Sequence, residues 1–198
     1  RVHFDCSRAE IEEQFATCCP ADETAAIFVE PIQGEGGYRV PSPDFQPMLR
    51  EVCDRHGILL VVDEIQSGIG RTGRMFAVEH FGVVPDAIAF GKKVQLGGCW
   101  VGPRVDEVPD NVFKIVSRIN STWGGNLVDM VRCQRIIEII EEENLLENAA
   151  RSGVRLLLVE PTSPARTLRR VDDLDARARR DGATLAIGPE GGWTAREI

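Results

Sequence analysis

The chain has no long apolar run and no cysteine pattern of the kind that marks membrane proteins and zinc-binding proteins. No apolar run approaches the roughly 20 residues that a membrane-spanning helix requires. The six cysteines form no Cys-x-x-Cys pair, and none stands at metal-ligand spacing with the three histidines. These absences argue against a membrane span and a zinc site, and they favour reduced, structural thiols in a cytoplasmic protein.

No secretory signal peptide and no initiating methionine are visible at the start of the chain, which reads Arg1-Val2-His3-Phe4-Asp5. We therefore expect the true N-terminus to lie upstream. The net charge of -8 and the isoelectric point near 5.0 argue against a surface that binds nucleic acid throughout. They leave room for a small acidic substrate or for a local basic patch.

Short apolar runs alternate with segments of helical spacing over residues 1–150. The runs predict buried strands because they are apolar throughout, and the alternation predicts an α/β fold with a parallel sheet. Ser7 and Glu10 have the spacing of a capping box, and Gly57 is a stop signal for a helix. The predicted strands are 26–29, 58–62 and 87–90, and the predicted helices are 7–16, 43–56, 75–81 and 126–150.

The character of the sequence changes near Ser152 and Gly153. Beyond this point the apolar runs at 156–159 and 183–187 predict two more strands. The segment 162–180 between them is rich in proline and arginine and is interrupted by aspartates. Charge alone favours a solvated helix face for this segment over an RNA-binding patch.

Two chemically active side chains follow predicted strands. Asp63 follows the run 58–62, and Lys92 follows the run 87–90. An enzyme that uses pyridoxal 5'-phosphate (PLP) needs a lysine amine that forms a Schiff base with the aldehyde. It also needs a carboxylate that keeps the pyridine nitrogen protonated, so that the ring acts as an electron sink. The alternative is an ordinary strand end and a Gly-Lys turn, and Lys93 competes with Lys92 for the role.

Other polar groups have the spacing that the rest of the cofactor would need. Gln66, three residues after Asp63, could bond to the 3-hydroxyl of PLP. The segment 120–126 opens the last predicted helix and offers hydroxyls and backbone amides to a phosphate, or else it only caps that helix. The glycine-rich loop 34–37 is either a flexible turn or a loop whose carboxylate, that of Glu35, faces a ligand.

Several of these motifs, in one order and one spacing, resemble the class III PLP-dependent aminotransferases. Within that family they are similar to the L-lysine ε-aminotransferases, and the resemblance covers about residues 1–150. It implies part of the large domain of a fold type I PLP-transferase, in which a parallel-rich sheet is covered by helices. The segments that carry the resemblance are 28–37, 62–68, 85–95, 104–108 and 120–126.

The resemblance implies a role for each matched residue. Lys92 would form the Schiff base, Asp63 would bind the pyridine nitrogen, and Gln66 would bind the 3-hydroxyl. Ser121 and Thr122 would contact the phosphate of the other subunit in a homodimer. Glu35 would be a substrate-binding residue. It would pair with a mobile arginine while the enzyme alternates between an amine substrate and a dicarboxylate substrate.

The implied reaction moves the terminal amine of L-lysine, or of a similar ω-amine, to 2-oxoglutarate by a ping-pong mechanism. Members of this family are far longer than the chain, and they carry a glycine-rich phosphate loop upstream and a small domain downstream of the matched region. We therefore expect the reaction to be incomplete in these 198 residues. An alternative is a truncated fusion with no catalytic activity.

The last segment contains the runs 156–161 and 185–194, the second of which reads Gly-Pro-Glu-Gly-Gly at its centre. These runs resemble a different family, the ribosomal small-subunit RNA uridine-N3 methyltransferases of the SPOUT class. This reading divides the chain into an aminotransferase fragment, 1–153, and a methyltransferase-like fragment, 154–198. It implies S-adenosylmethionine as a second cofactor and RNA as a partner. The glycines would let the backbone approach that ligand. The residues of the implied loop are Gly188, Pro189, Glu190, Gly191 and Gly192.

Overall fold

A four-stranded sheet forms the centre of the computed structural model. The structure describes residues 1–119, 122 and 124–151, together with the backbone of two strands at 154–157 and 183–186. The strand order in the sheet is β1-β2-β3-β4, with the first three strands parallel and β4 antiparallel to β3. The strands are β1 (Ala26–Val29), β2 (Leu59–Asp63), β3 (Ala87–Phe90) and β4 (Gly98–Val101).

The mixed α/β architecture with a parallel-rich sheet is confirmed. The predicted β1 and β3 have the observed bounds, while β2 begins and ends one residue later than expected. β4 was missing from the prediction. The α-helices are α1 (Arg8–Thr17), α2 (Phe45–His56), α3 (Leu127–Glu142) and α4 (Leu145–Arg151), and the 3-10 helices are Ala21–Glu23, Ala77–Phe81, Lys92–Val94 and Pro103–Glu107.

The first two helices begin or end where the sequence signals them. Ser7 caps α1: its side chain accepts a hydrogen bond from the Glu10 amide, and the Glu10 carboxylate accepts one from the Ser7 amide. Gly57 ends α2 with φ of 71°, a left-handed conformation that glycine adopts without a steric cost. Both signals are local, so the sequence alone was enough to place them.

The single long helix predicted at 126–150 is wrong in its middle. α3 ends at Glu142, and α4 begins at Leu145. Between them Asn144 has φ of 51°, in the left-handed region, and its carbonyl accepts the amide of Asn148 in the next helix. Asparagine tolerates this conformation better than most residues, so it can end one helix and begin another.

The core lies between β2 and α2. Leu60 and Val62 of β2 and Ile58 just before the strand are fully buried, and Leu49 and Val52 of α2 are buried with them. β1 is different, because it lies at the border of the four-stranded sheet. Its Phe28 is 75% exposed, so the expectation of a buried strand fails for that residue.

The two C-terminal strands, β5 (Val154–Leu157) and β6 (Ala183–Ala186), pair with each other in parallel. Val154 is opposite Ala183, so the first of them begins two residues before its predicted start. No helix among the described residues combines the length and the apolar character needed to cross a bilayer.

Candidate active site

Asp63 and Lys92 lie at the same edge of the sheet, the carboxyl edge. Asp63 is the last residue of β2 and pairs in register with Ala89 of β3. Lys92 is three residues beyond Ala89 and begins the short 3-10 helix Lys92–Val94. In open α/β sheets this edge is where ligands bind, because the loops that follow parallel strands converge there.

The amine of Lys92 contacts Gln66. Lys92 Nζ donates a hydrogen bond of 2.6 Å to Gln66 Oε1, and Gln66 Nε2 is 3.4 Å from the hydroxyl of Tyr38. The lysine side chain is exposed, and its backbone has φ of 38°, which is unusual for a residue with a side chain. Such backbone conformations cluster at functional sites. The structure therefore brings together Lys92 and Gln66, two residues that the sequence proposed for one site.

Asp63 is half-buried at the end of β2. Its Oδ1 accepts a hydrogen bond of 3.0 Å from the amide of Ile65, two residues on. This bond holds the first turn of the loop that leads to Gln66. Asp63 is thus the last residue of β2, and its carboxylate stabilises the start of the loop that carries Gln66, the partner of Lys92.

The glycine-rich loop is held by hydrogen bonds. The Gly34 amide donates to Glu30 Oε2 at 2.7 Å, and the amides of Gly37 and Tyr38 both donate to the Gly34 carbonyl at 3.0 Å. A side chain at position 34 would place its Cβ 2.8 Å from Gln66 Cγ, so this glycine allows the close approach of the two loops. The exposed Glu35 lies in the same loop.

Glu64 is a buried carboxyl that the sequence reasoning missed. The residue is 0% exposed, and burial raises the pKa of its carboxyl although Ser67, Val78 and Ala77 donate hydrogen bonds to it. The side-chain hydroxyl of Ser67 donates at 2.6 Å, and the amides of Ala77 and Val78 donate at 3.1 Å and 2.7 Å. The sequence indicated only that the two side chains of an Asp-Glu pair at a strand end point to opposite sides. It did not indicate the partners of Glu64, which are distant in sequence.

The proposed phosphate segment is described only in part. Thr122 lies exposed in a turn, and Asn126 caps α3 by accepting the amide of Val128 at 3.0 Å. Ser121 lies outside the described residues, as does the loop 188–192 of the methyltransferase reading. Asn126 therefore has the helix-capping role that the sequence offered as an alternative to phosphate binding. A phosphate contact stays a prediction for Ser121 and Thr122.

The opposite, amino edge of the sheet holds a second buried carboxyl, Asp86, which is 7% exposed. It accepts hydrogen bonds of 2.8 Å from Arg50 and 3.1 Å from Arg104, and one of 2.7 Å from the Leu60 amide. Burial alone would raise the pKa of Asp86, but the Leu60 amide and the two arginines outweigh it and lower the pKa. This cluster joins α2, β2 and β3 and the 3-10 helix Pro103–Glu107.

Comparison with known proteins identifies relatives of most of the chain. The model of the family "Aminotransferase class-III" matches residues 5–169. An L-lysine-epsilon aminotransferase of Mycobacterium bovis is 53% identical over 131 residues, which are 66% of this chain and 29% of the relative. An L-lysine-epsilon aminotransferase of Amycolatopsis lactamdurans is 49% identical over 134 residues, which are 67% of this chain and 30% of the relative.

A solved structure agrees with these matches. The lysine aminotransferase from M. tuberculosis in the internal aldimine form superposes with a TM-score of 0.65 and 51% sequence identity. The match covers 70% of this chain and 32% of that chain. The chain thus spans about a third of the length of the relatives it matches. These relatives are aminotransferases, so they give no support to the methyltransferase reading of the last segment.

Proposed function

The chain belongs to the class III aminotransferases, a family of PLP enzymes, and from this premise we propose that its sheet carries the PLP site of such an enzyme. The observation that carries the proposal is the 2.6 Å contact between Lys92 Nζ and Gln66 Oε1 at the carboxyl edge of the sheet. It joins the proposed attachment lysine to the loop that begins at Asp63.

The side chains at this edge fit the chemistry of PLP. The cofactor needs an amine for its aldehyde, an anion for its ring nitrogen and a hydrogen-bonding group for its 3-hydroxyl. Lys92, Asp63 and Gln66 are of these three types, and they follow two neighbouring parallel strands. When bound, PLP supplies an electron sink that stabilises negative charge on the substrate carbon.

Each side chain has a proposed task in the reaction. Lys92 Nζ would hold the cofactor, and as a free amine it would carry a proton between substrate atoms. The Asp63 carboxylate would hold the ring nitrogen of the cofactor and favour its protonated form. Gln66 orients the lysine amine through its Oε1, while Tyr38 lies on the other side of the same amide. Of the two candidate lysines, Lys92 is favoured because of its contact with Gln66.

We propose L-lysine, or a similar ω-amine, as the amine donor and 2-oxoglutarate as the acceptor. The identity of about 50% with L-lysine-epsilon aminotransferases supports the donor. Glu35 is the proposed substrate-binding residue, and Ser121 and Thr122 are the proposed phosphate contacts across a homodimer. The chain spans about 30% of the length of those relatives. We therefore propose that the full reaction needs this site and also the regions of a complete family member that these 198 residues do not include.

Covalent labelling tests the proposed site. The purified chain is incubated with PLP and reduced with borohydride, and its intact mass and fragment spectra are recorded. We expect a single phosphopyridoxyl adduct on Lys92. Lys93→Ala is the matched control and should retain the adduct. An adduct that persists in Lys92→Ala at the same stoichiometry, or that spreads over all lysines, would overturn the assignment.

A further inference from the structure

We propose that Glu64 is a positioning residue of this site: its buried carboxylate holds the segment from Asp63 to Gly68 against the 3-10 helix Ala77–Phe81. This inference deepens the proposed function and rests on it. Glu64 does not act on the substrate, because its side chain is fully buried. It acts through Gln66, which lies in the held segment and contacts Lys92.

The carboxylate of Glu64 connects two segments that are distant in sequence. Its Oε2 accepts hydrogen bonds from the Ser67 hydroxyl at 2.6 Å and from the Ala77 amide at 3.1 Å. Its Oε1 accepts one from the Val78 amide at 2.7 Å. One side chain thus binds the turn after β2 and the start of the 3-10 helix at the same time.

The backbone of Glu64 closes the same turn. Its amide donates to the Ala89 carbonyl at 2.8 Å, which extends the pairing of β2 with β3, and its carbonyl accepts the Gly68 amide at 2.8 Å. A Cβ at position 68 would lie 2.7 Å from that carbonyl, so glycine is needed there. Gln66 therefore sits in a turn that Glu64 fixes through both backbone and side chain.

A carboxylate suits this position because it has acceptors on both oxygens. An amide of the same shape has one acceptor oxygen, and its NH2 group can only donate. In Glu64→Gln the Ser67 hydroxyl can rotate and accept. The Ala77 and Val78 amides cannot rotate in this way, so one of them would face the NH2 group and lose its partner. We expect the turn that carries Gln66 to loosen as a result.

Lysine reactivity measured without cofactor tests this role. The chain has three lysines, Lys92, Lys93 and Lys114. The cofactor-free protein is labelled with trace acetic anhydride, and the ratio of Lys92 to Lys93 labelling is read by mass spectrometry. We expect Glu64→Gln to raise this ratio by about 2- to 10-fold, the factor that corresponds to the loss of one hydrogen bond from the Lys92 amine. Lys114 reports any general unfolding.

Glu79→Gln is the matched control. Glu79 accepts the Phe76 amide at 2.7 Å at the start of the same 3-10 helix and has no such bond to the turn at Gln66. We expect this variant to keep the wild-type labelling ratio. A rise equal to that of Glu64→Gln would overturn the proposal, because it would mean that any weakening of the helix exposes Lys92.

Ser67→Ala is a second, milder variant that tests the same role if Glu64→Gln does not fold. It removes the 2.6 Å bond between Glu64 and the turn and leaves the Ala77 and Val78 bonds in place. We expect a smaller rise in the Lys92 ratio, and an unchanged ratio would overturn the proposal. A wild-type chain that fails to attach PLP would contradict the proposed function alone, since the labelling ratio is measured without the cofactor.

Discussion

Each edge of the sheet contains a buried carboxyl, but the two carboxyls have different kinds of hydrogen-bond donors. At the amino edge Asp86 is paired with two arginines, and its pKa is lowered. At the carboxyl edge Glu64 has hydrogen bonds from a hydroxyl and two backbone amides, and its pKa is raised. The amino edge therefore neutralises its charge with ion pairs, whereas the carboxyl edge satisfies its carboxyl with neutral donors.

This difference fits the separate tasks of the two edges. The arginines at Asp86 connect a helix to two strands and so stabilise the fold. An arginine at Glu64 would place a further positive charge close to the charged side chains of Asp63 and Lys92. Neutral donors hold the turn without adding such a charge. Under the proposed function, the sheet would keep the ion pairs that stabilise the fold apart from the charged groups that bind the cofactor.

Lys92→Ala is expected to have the largest effect on the carboxyl edge of the sheet. We expect complete loss of the borohydride-fixed PLP adduct, because the proposed attachment amine is removed. The free energy of unfolding should change by less than about 0.5 kcal/mol, since the side chain is exposed. Mass spectrometry and urea unfolding check the two parts. A loss of stability as large as that expected at the amino edge would show that the two edges do not differ in this way.

Asp86→Asn should have a large effect on the free energy of unfolding, in contrast to Lys92→Ala. Removing the charge leaves two arginines without their buried partner, and we expect the free energy of unfolding to fall by about 3 kcal/mol. Asp54→Asn is the control, because Asp54 pairs with Arg50 while 62% of its side chain is exposed. Its expected cost is about 0.5 kcal/mol. Urea unfolding measures both, and equal costs would contradict the special role of the amino edge.

The pH dependence of stability should have opposite signs at the two carboxyls. Because the pKa of Asp86 is lowered from 3.8, its stabilisation is complete above that pH and is lost as the pH falls through the folded pKa. Because the pKa of Glu64 is raised from 4.5, the folded chain binds protons more tightly, and stability is lost as the pH rises from 4.5 through the folded pKa.

Two variants separate these contributions. Urea unfolding of the wild type, Asp86→Asn and Glu64→Gln is measured from about pH 3 to pH 7. The advantage of the wild type over Asp86→Asn should grow with pH, and its advantage over Glu64→Gln should shrink. Slopes of the same sign in both comparisons would contradict the assigned pKa directions.

Asp63→Ala is expected to have the smallest effect on cofactor attachment. Lys92 stays in place, so the borohydride-fixed adduct should form at the wild-type stoichiometry. Under the proposed role of Asp63, the loss of its carboxylate should weaken the electron sink, because the ring nitrogen would lose the anion that favours its protonated form. Adduct mass and the rate of amine transfer in a complete family member separate the two effects. Loss of the adduct itself would mean that Asp63 acts on attachment.

The fold was predictable where the signal was local. β1 and β3 were placed by short apolar runs, and α1 and α2 by the capping box and Gly57. The break at Asn144 was missed, because apolar spacing continues across it and only the backbone conformation interrupts the helix. β4 was missed because a four-residue strand that begins with a glycine carries little periodicity of its own.

The candidate site was predictable to the extent that its residues follow strands. Asp63, Gln66 and Lys92 were proposed from their positions after strands, and the structure places the last two in contact. Glu64 and Tyr38 were missed, because their partners are distant in sequence: Ala77 and Val78 for the first, and Gln66 for the second. A single sequence shows which residue types are present, but not which of them meet across loops.

The position of β1 at the border of the sheet has a practical consequence. Among the described strands it has a neighbour on one side only, and Phe28 in its middle is 75% exposed. An apolar border strand is a template on which a further strand can add. Aggregation of the 198-residue chain should therefore increase with its concentration, and Phe28→Lys should reduce it, because a charged side chain opposes the addition of a further strand.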